Sequence, residues 1–415
     1  MRAVRRLSPA PRQFLAFSLL VGTAFGVFNL LFNLYMSALG FSNQTIGIFN
    51  SLPAVTLLAV GLPLAAFADR IGYRPFLLAA TALALIGSGA MALLEQRLAA
   101  VLACGVFALA VILLVEILSG PVLAQISTEA DRVSLFALNQ SIGWVAVLVG
   151  DLLGGILPEA ASGSTHSSSA SAGSIRAAFI AMALLVALAL PFLFRLVRVA
   201  GYKPATGTPV KEMFRVDFPR FGRLLLPEFL LGIGAGMFLN FVQLYFAQRF
   251  RLTPGPIGAI LALGAALTAI GTLGAPWISR RLGVSRTVAL TQMAGFPLIL
   301  MLAFLMTLPA ATIVLYVRQI VLNIQAPLAM VFGMEYVAPE QRARLTTALM
   351  IAWGIGSGGI GPFVSGFLQA AGGFQLAFSV AAIFYLLAGI SFLVLFGNVR
   401  LPSENQALQI TVPSA

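Results

Sequence analysis

The chain has 415 residues, of which 60% are hydrophobic and 9% charged, and its mean hydropathy is +0.98. Soluble domains hold roughly 45–50% apolar residues, so a water-soluble class is excluded and a polytopic membrane protein is expected. The single Cys104 and single His166 exclude a disulfide framework and a Cys/His metal cluster, and the net charge of +12 has no span-free basic domain in which to hold a nucleic acid.

A membrane-crossing helix needs about 20 mostly apolar residues. Twelve such segments run over 14–39, 44–68, 75–95, 98–126, 133–157, 175–195, 223–248, 255–278, 285–306, 309–334, 345–370 and 374–397. The short alternating strands of a barrel are missing, so the expected class is an all-α membrane protein. The basic start "MRAVRRLSPAPRQF" leads into a run too long for a signal peptide and reads as a tail before the first span. With that tail inside, 20 of the 25 basic residues fall on the inner side. Four (Arg97, Arg176, Arg249, Arg251) fall outside and Arg318 lies within a span. The bias places both termini in the cytoplasm of a multi-pass cell-membrane protein.

In chain order, span one carries Gly22, Gly26, Asn29 and Asn33 at a spacing that shares one helix face. Between spans two and three, "FADRIGYRP" packs Asp69, Arg70 and Arg74 beside Gly72. Glu116 sits in the middle of span four, and Asp151 lies in the span-five stretch "GWVAVLVGDLLGG" with Gly150, Gly154 and Gly155. Asn139 and Gln140 stand earlier in that span, and His166 follows it in the Ser/Gly-rich loop "ASGSTHSSSASAGS" as a solvated residue. Span seven places Gly236, Asn240 and Gln243 on one face, with Glu228 near its end reading as a snorkelling structural acid. Span ten adds Arg318, Gln319, Asn323 and Gln325, and span eleven holds "GIGSGGIGPFVSG" with Gly361, Pro362 and Gly366. Each charge inside a span costs roughly 2.5–3.5 kcal/mol, so Glu116, Asp151 and Arg318 are candidates for function.

The chain repeats itself. An offset of 211 lays Gly47 on Gly258, Gly72 on Gly283, Glu129 on Glu340, Gly143 on Gly354, Gly150 on Gly361 and Gly155 on Gly366. An offset of 210 lays "GTAFGVFNLLFNLY" on "GIGAGMFLNFVQLY", pairing Gly26 with Gly236, Asn33 with Gln243 and Tyr35 with Tyr245. The expected organisation is two pseudo-symmetric six-helix bundles, 1–198 and 223–400, with a cytoplasmic linker over 199–222 and a tail over 401–415. The matched amides Asn33 and Gln243 are expected to face one another, and Tyr35 and Tyr245 to lie at the outer membrane interface.

"FADRIGYRP" resembles the signature between spans two and three of the major facilitator superfamily, with Asp69, Arg70, Gly72 and Arg74 at the matching places. Ala65 and Phe67 replace the usual Gly and Leu, and Tyr73 the first basic residue. The second-half counterpart "ISRRLGVSR" keeps Arg281 and Gly283 but has Arg280 where an acid would stand. The resemblance covers all twelve spans and implies a clasp at the cytoplasmic face built from these residues. The span-five stretch resembles the family's Gly-Pro-x-x-Gly-Gly antiporter motif with Asp151 in the proline position, and in this family that motif accompanies exchange of substrate for protons.

The resemblance also implies that spans four and ten line a central cavity, where Glu116 and Arg318 come within reach as a proton switch with Asp151. Asn29, Asn33, Asn240, Gln243, Gln319 and Asn323 are the expected cavity amides, and Gly150, Gly154, Gly155, Gly361, Pro362 and Gly366 the helix-packing positions. With no nucleotide loop, metal pair or catalytic triad, no enzyme activity and no cofactor is expected. The expectation is a monomeric secondary transporter with a small-molecule substrate, protons as coupling ion and the bilayer as its partner. Its cargo is expected to be a lipophilic or amphipathic compound moved outward, the alternatives being a neutral nutrient taken inward or a lipid.

Overall fold

The computed structural model describes residues 8–56, 71–94, 96–128, 131–162, 172–199, 218–272, 274–338, 341–399 and 401. Among them every expected span contains a helix, and no strand occurs. We number the helices by span. In the first half they are α1 (Pro9–Ala38), α2 (Asn43–Thr56), α3 (Tyr73–Leu93), α4 (Arg97–Ile126), α5 (Arg132–Ser162) and α6 (Ala172–Val199).

In the second half α7 comprises Phe218–Leu239 and Val242–Phe250, and α8 comprises Pro254–Thr272 and Ala275–Leu282. They are followed by α9 (Val284–Phe304) and α10 (Leu308–Tyr336). The last stretch starts with Arg342–Ile355 and Gly356–Ile360 and continues as Gly361–Phe396, which bends at Gly372 and Gly373; α11 is the part before the bend and α12 the part after it. Residues 218–222, expected in the linker, begin α7.

Nine helical stretches among the described residues are long and apolar enough to cross a bilayer. The count falls below twelve because α11 and α12 run on as one stretch, Arg344–Phe396, while the described parts of α2 and α8 are short. The breaks follow backbone chemistry. Gly40, Gly72, Gly283 and Gly373 have φ of 81°, 103°, 83° and 67°, the left-handed side that glycine, lacking a Cβ, reaches at no steric cost. Gly72 and Gly283, one repeat apart, each turn the chain into the next helix, which accounts physically for the glycine in "FADRIGYRP" and in its counterpart.

Contacts group the chain into two units. The first holds Met1–Phe41, Val55–Val210 and Gln243–Leu263, and the second holds Ser42–Ala54, Lys211–Val242 and Gly264–Ala415. In the first, α1 packs on α5 and α6, and α3 on α4 and α6. Its core gathers Phe14, Phe17, Leu77, Leu118, Leu135 and Leu193. In the second, α7 packs on α11 and α12, and α9 on α10 and α12, around Phe221, Val288, Leu328, Phe332, Phe392 and Phe396. The same packing plan thus occurs in both, as the repeat requires.

Lipid offers no hydrophobic drive between helices, so close backbone approach has to supply the packing. Gly26 and Gly150 do this for α1 and α5. A Cβ on Gly150 would stand 2.6 Å from the Gly26 Cα and 2.6 Å from the Thr23 oxygen. The repeat places Gly236 and Gly361 in the same role for α7 and α11, where a Cβ on Gly361 would stand 2.8 Å from the Gly236 Cα.

Candidate functional site

A polar cluster of the second unit is built on α10. Arg318 is 3% exposed, and its guanidinium donates from Nη2 to the Tyr385 hydroxyl of α12 (2.6 Å) and from Nη1 to Gln319 Oε1 (3.1 Å). It lies 4.9 Å over the ring of Phe238 on α7. Asn323, one turn along α10, donates to the Gln319 carbonyl at 2.7 Å, and Gln319 and Asn323 are both half-buried. Buried Arg318 Nε has no hydrogen-bond acceptor, and among the described residues no carboxylate faces this guanidinium. Sequence reasoning found Arg318, Gln319 and Asn323 but missed Tyr385, which no local pattern marks.

Asn240, in the turn that joins the two segments of α7, bridges to α11. Its Nδ2 donates to the Ser357 carbonyl and to the Gly236 carbonyl, both at 3.0 Å. Ser357 belongs to the π-helical segment Gly356–Ile360, where the wider turn disrupts the regular pairing of carbonyls, and the amide of Asn240 meets that demand. A second buried amide pair, Gln292 to Gln325 at 3.0 Å, joins α9 to α10.

In the first unit Asp151 is 6% exposed on α5, and among the described residues its carboxyl has no hydrogen-bond or ion-pair partner. Its main-chain oxygen presses on α8, where a Cβ on Gly258 would collide with it. Gly154 and Gly155 continue this seam, Gly155 against Pro254 and Gly255. At the end of α5 the Glu159 carboxylate reaches over the start of α8, accepting from Thr253 Oγ1 at 2.5 Å and from the Gly255 N–H at 3.1 Å. A carboxylate on the exposed N–H groups of a helix start is favourable both as a cap and against the helix dipole.

The repeat has a neutral copy of this seam in the second unit. Gln369 on α11 accepts from Asn43 Nδ2 at the start of α2 (3.0 Å), and it donates to Ser365 Oγ at 2.9 Å. Gly47 sits against Gly366 and the Pro362 carbonyl as Gly258 sits against Gly155 and the Asp151 carbonyl. Glu159 and Gln369, like Asn43 and Thr253, are 210 residues apart, so the offset that revealed the repeat also marked these pairs.

Gln243 donates from Nε2 to the main-chain oxygen of Asn29 at 2.9 Å. Asn33 is buried, whereas Asn29 is exposed. Tyr35 and Tyr245 are 0% and 1% exposed and are core residues, not interface aromatics, because each ring packs edge-on against an aromatic neighbour, Phe179 and Phe246 respectively.

Of the expected clasp, Arg74 is half-buried at the start of α3, and exposed Arg281 lies 4.3 Å over the Trp277 ring. Asp69 and Arg70 lie outside the described residues, as does the side chain of Glu116. The backbone of Glu116 belongs to the π-helical segment Leu113–Leu118, a form often found at functional positions.

Long apolar helices and glycine-lined crossings, repeated once along the chain, together with the buried charges Asp151 and Arg318, which the repeat does not duplicate, define a polytopic membrane protein. Residues 14–358 and 228–413 match the family model described as Major Facilitator Superfamily, and the chain belongs to that superfamily. Its fold is shared by solved structures of low identity. A bacterial homolog of the human lysosomal transporter Spinster, inward-facing and unoccupied, has a TM-score of 0.72 at 16% identity, covering 93% of this chain and 97% of the other. A bacterial homologue of the iron transporter ferroportin, inward-facing, has 0.73 at 15%, covering 93% and 98%. The nucleoside transporter NupG has 0.71 at 16%, covering 93% and 99%. A search among curated proteins found no significant match.

Proposed function

We propose that the chain is a proton-coupled secondary transporter that works by alternating access and moves amphipathic small molecules out of the cell. Asp151 carries this reading. A carboxyl inside a span, 6% exposed and without a described cation beside it, is an expensive group that proton uptake and release would relieve and restore. It sits on the α5 seam with α8, so a change of its charge acts where two helices meet at backbone distance. The outward direction follows from the resemblance of the surrounding glycine motif to that of family exporters. On the orientation expected from the charge bias, both termini face the cytoplasm, and the chain acts as a monomer in the cell membrane. The solved relatives named above are titled for different cargoes, so the fold alone does not select one.

The test is reconstitution in liposomes with a trapped pH dye. An amphipathic substrate added under a pH gradient should drive proton movement in the wild type, and Asp151→Asn should retain exchange of labelled against unlabelled substrate while losing the proton signal. Proton movement undiminished in Asp151→Asn would overturn the assignment.

A further inference from the structure

We propose that Arg318 is a substrate-binding residue and that the substrate carries one carboxylate-type anionic group on an otherwise apolar body. The inference rests on the reading that the chain is a transporter, and it narrows the substrate class.

The repeat supplies an internal control for what the fold requires at this position. Offset 210 places Phe238 on Phe28, and offset 211 places Arg318 on Phe107. In the first unit Phe28 and Phe107 pack with ring centroids 5.0 Å apart. In the second unit the guanidinium of Arg318 takes the place of the Phe107 ring, 4.9 Å over Phe238. A neutral ring therefore fills this place in the fold, and packing alone does not call for a charge.

A guanidinium has five N–H donors. The Tyr385 hydroxyl and the Gln319 amide oxygen, both neutral, hold one terminal nitrogen each, while buried Nε is left without an acceptor. Those two contacts fix the direction of the fork without neutralising it. Fixed, desolvated and lacking an anion among the described residues, the guanidinium is prepared for a bidentate oxyanion. Gln319 and Asn323, half-buried on the same helix, offer amide groups beside it for the rest of a polar head. A single cation among neutral amides suits one negative charge and not several.

The test uses full-length protein in nanodiscs with three twelve-carbon probes, dodecanoate, dodecanol and dodecylamine, read by thermal unfolding and by equilibrium binding without a pH gradient. Dodecanoate should stabilise the wild type while dodecanol and dodecylamine do not. Arg318→Lys should retain part of the effect. Arg318→Phe, paired with Tyr385→Phe so that no buried hydroxyl loses its partner, restores the chemistry of the twin position and should fold. It should bind dodecanoate at least about 30-fold more weakly, the order expected when one member of a buried charged pair is removed. Equal binding of dodecanoate and dodecanol by the wild type, or undiminished dodecanoate binding by the double variant, would overturn the proposal. Because no proton gradient is applied, failure of the Asp151 coupling leaves this result unchanged, and the two can fail separately.

Discussion

Replacing Gly150 by alanine puts a methyl group where α1 already lies. Its Cβ would stand 2.6 Å from the Gly26 Cα, 2.6 Å from the Thr23 oxygen and 2.8 Å from the Val27 nitrogen. All three are backbone atoms and cannot rotate aside. Carbon contacts settle at about 3.5–4.0 Å, so the two helices must part by ~1 Å along their crossing. Overpacking of this kind costs about 1–3 kcal/mol, and the better helix propensity of alanine returns up to ~1 kcal/mol.

We expect a net loss of ~1–2 kcal/mol, a factor of roughly 5 to 30 in the unfolding equilibrium. Gly143 lies two turns earlier in the same glycine stretch and has nothing within 4 Å of its added Cβ. Gly143→Ala should therefore be neutral or stabilising by up to ~1 kcal/mol. The twin pair should behave alike, with Gly361→Ala destabilising and Gly354→Ala tolerated, since Gly354 too has open space. Denaturant unfolding in mixed micelles, followed by intrinsic fluorescence, measures all four. A Gly150→Ala midpoint equal to that of the wild type, or a Gly143→Ala loss as large as that of Gly150→Ala, would refute the packing argument.

Removing the Glu159 carboxylate takes an acceptor from Thr253 and from the Gly255 N–H. Glu159→Ala should cost ~1 kcal/mol and speed amide hydrogen exchange over 253–258, whereas Glu159→Gln should keep most of the protection, as Gln369 serves the twin seam. Equal exchange rates in wild type and Glu159→Ala would count against the cap. Asn240→Ala strips the Ser357 carbonyl of its side-chain donor in the π-helical segment and should cost ~1–3 kcal/mol, with faster exchange localised to 356–360. Fast exchange spread evenly over α11 would show instead that the whole helix, and not this one bond, depends on Asn240.

What the sequence determined by itself is the part of the structure that depends on local runs. In lipid a segment must satisfy its own backbone hydrogen bonds, so an apolar run becomes a helix wherever it packs. The repeat was equally legible, because glycines that permit close crossings recur at fixed offsets and do so for a steric reason seen at Gly26–Gly150 and Gly236–Gly361. Charged residues in spans stood out as Asp151 and Arg318 because each is costly wherever it lies.

The tertiary structure decided which polar groups meet. Arg318 finds Tyr385 across 67 residues, Glu159 finds Thr253 across 94, and Asn240 finds the Ser357 carbonyl across 117. Each pairing depends on the rotation and separation of two packed helices, which neither helix encodes alone. The same cause turned Tyr35 and Tyr245 inward, since helical periodicity gives a residue's face but not the neighbour that covers it. The chemical meaning of Arg318 likewise emerges only in three dimensions, where its place over Phe238 can be set beside the uncharged pair of Phe28 and Phe107.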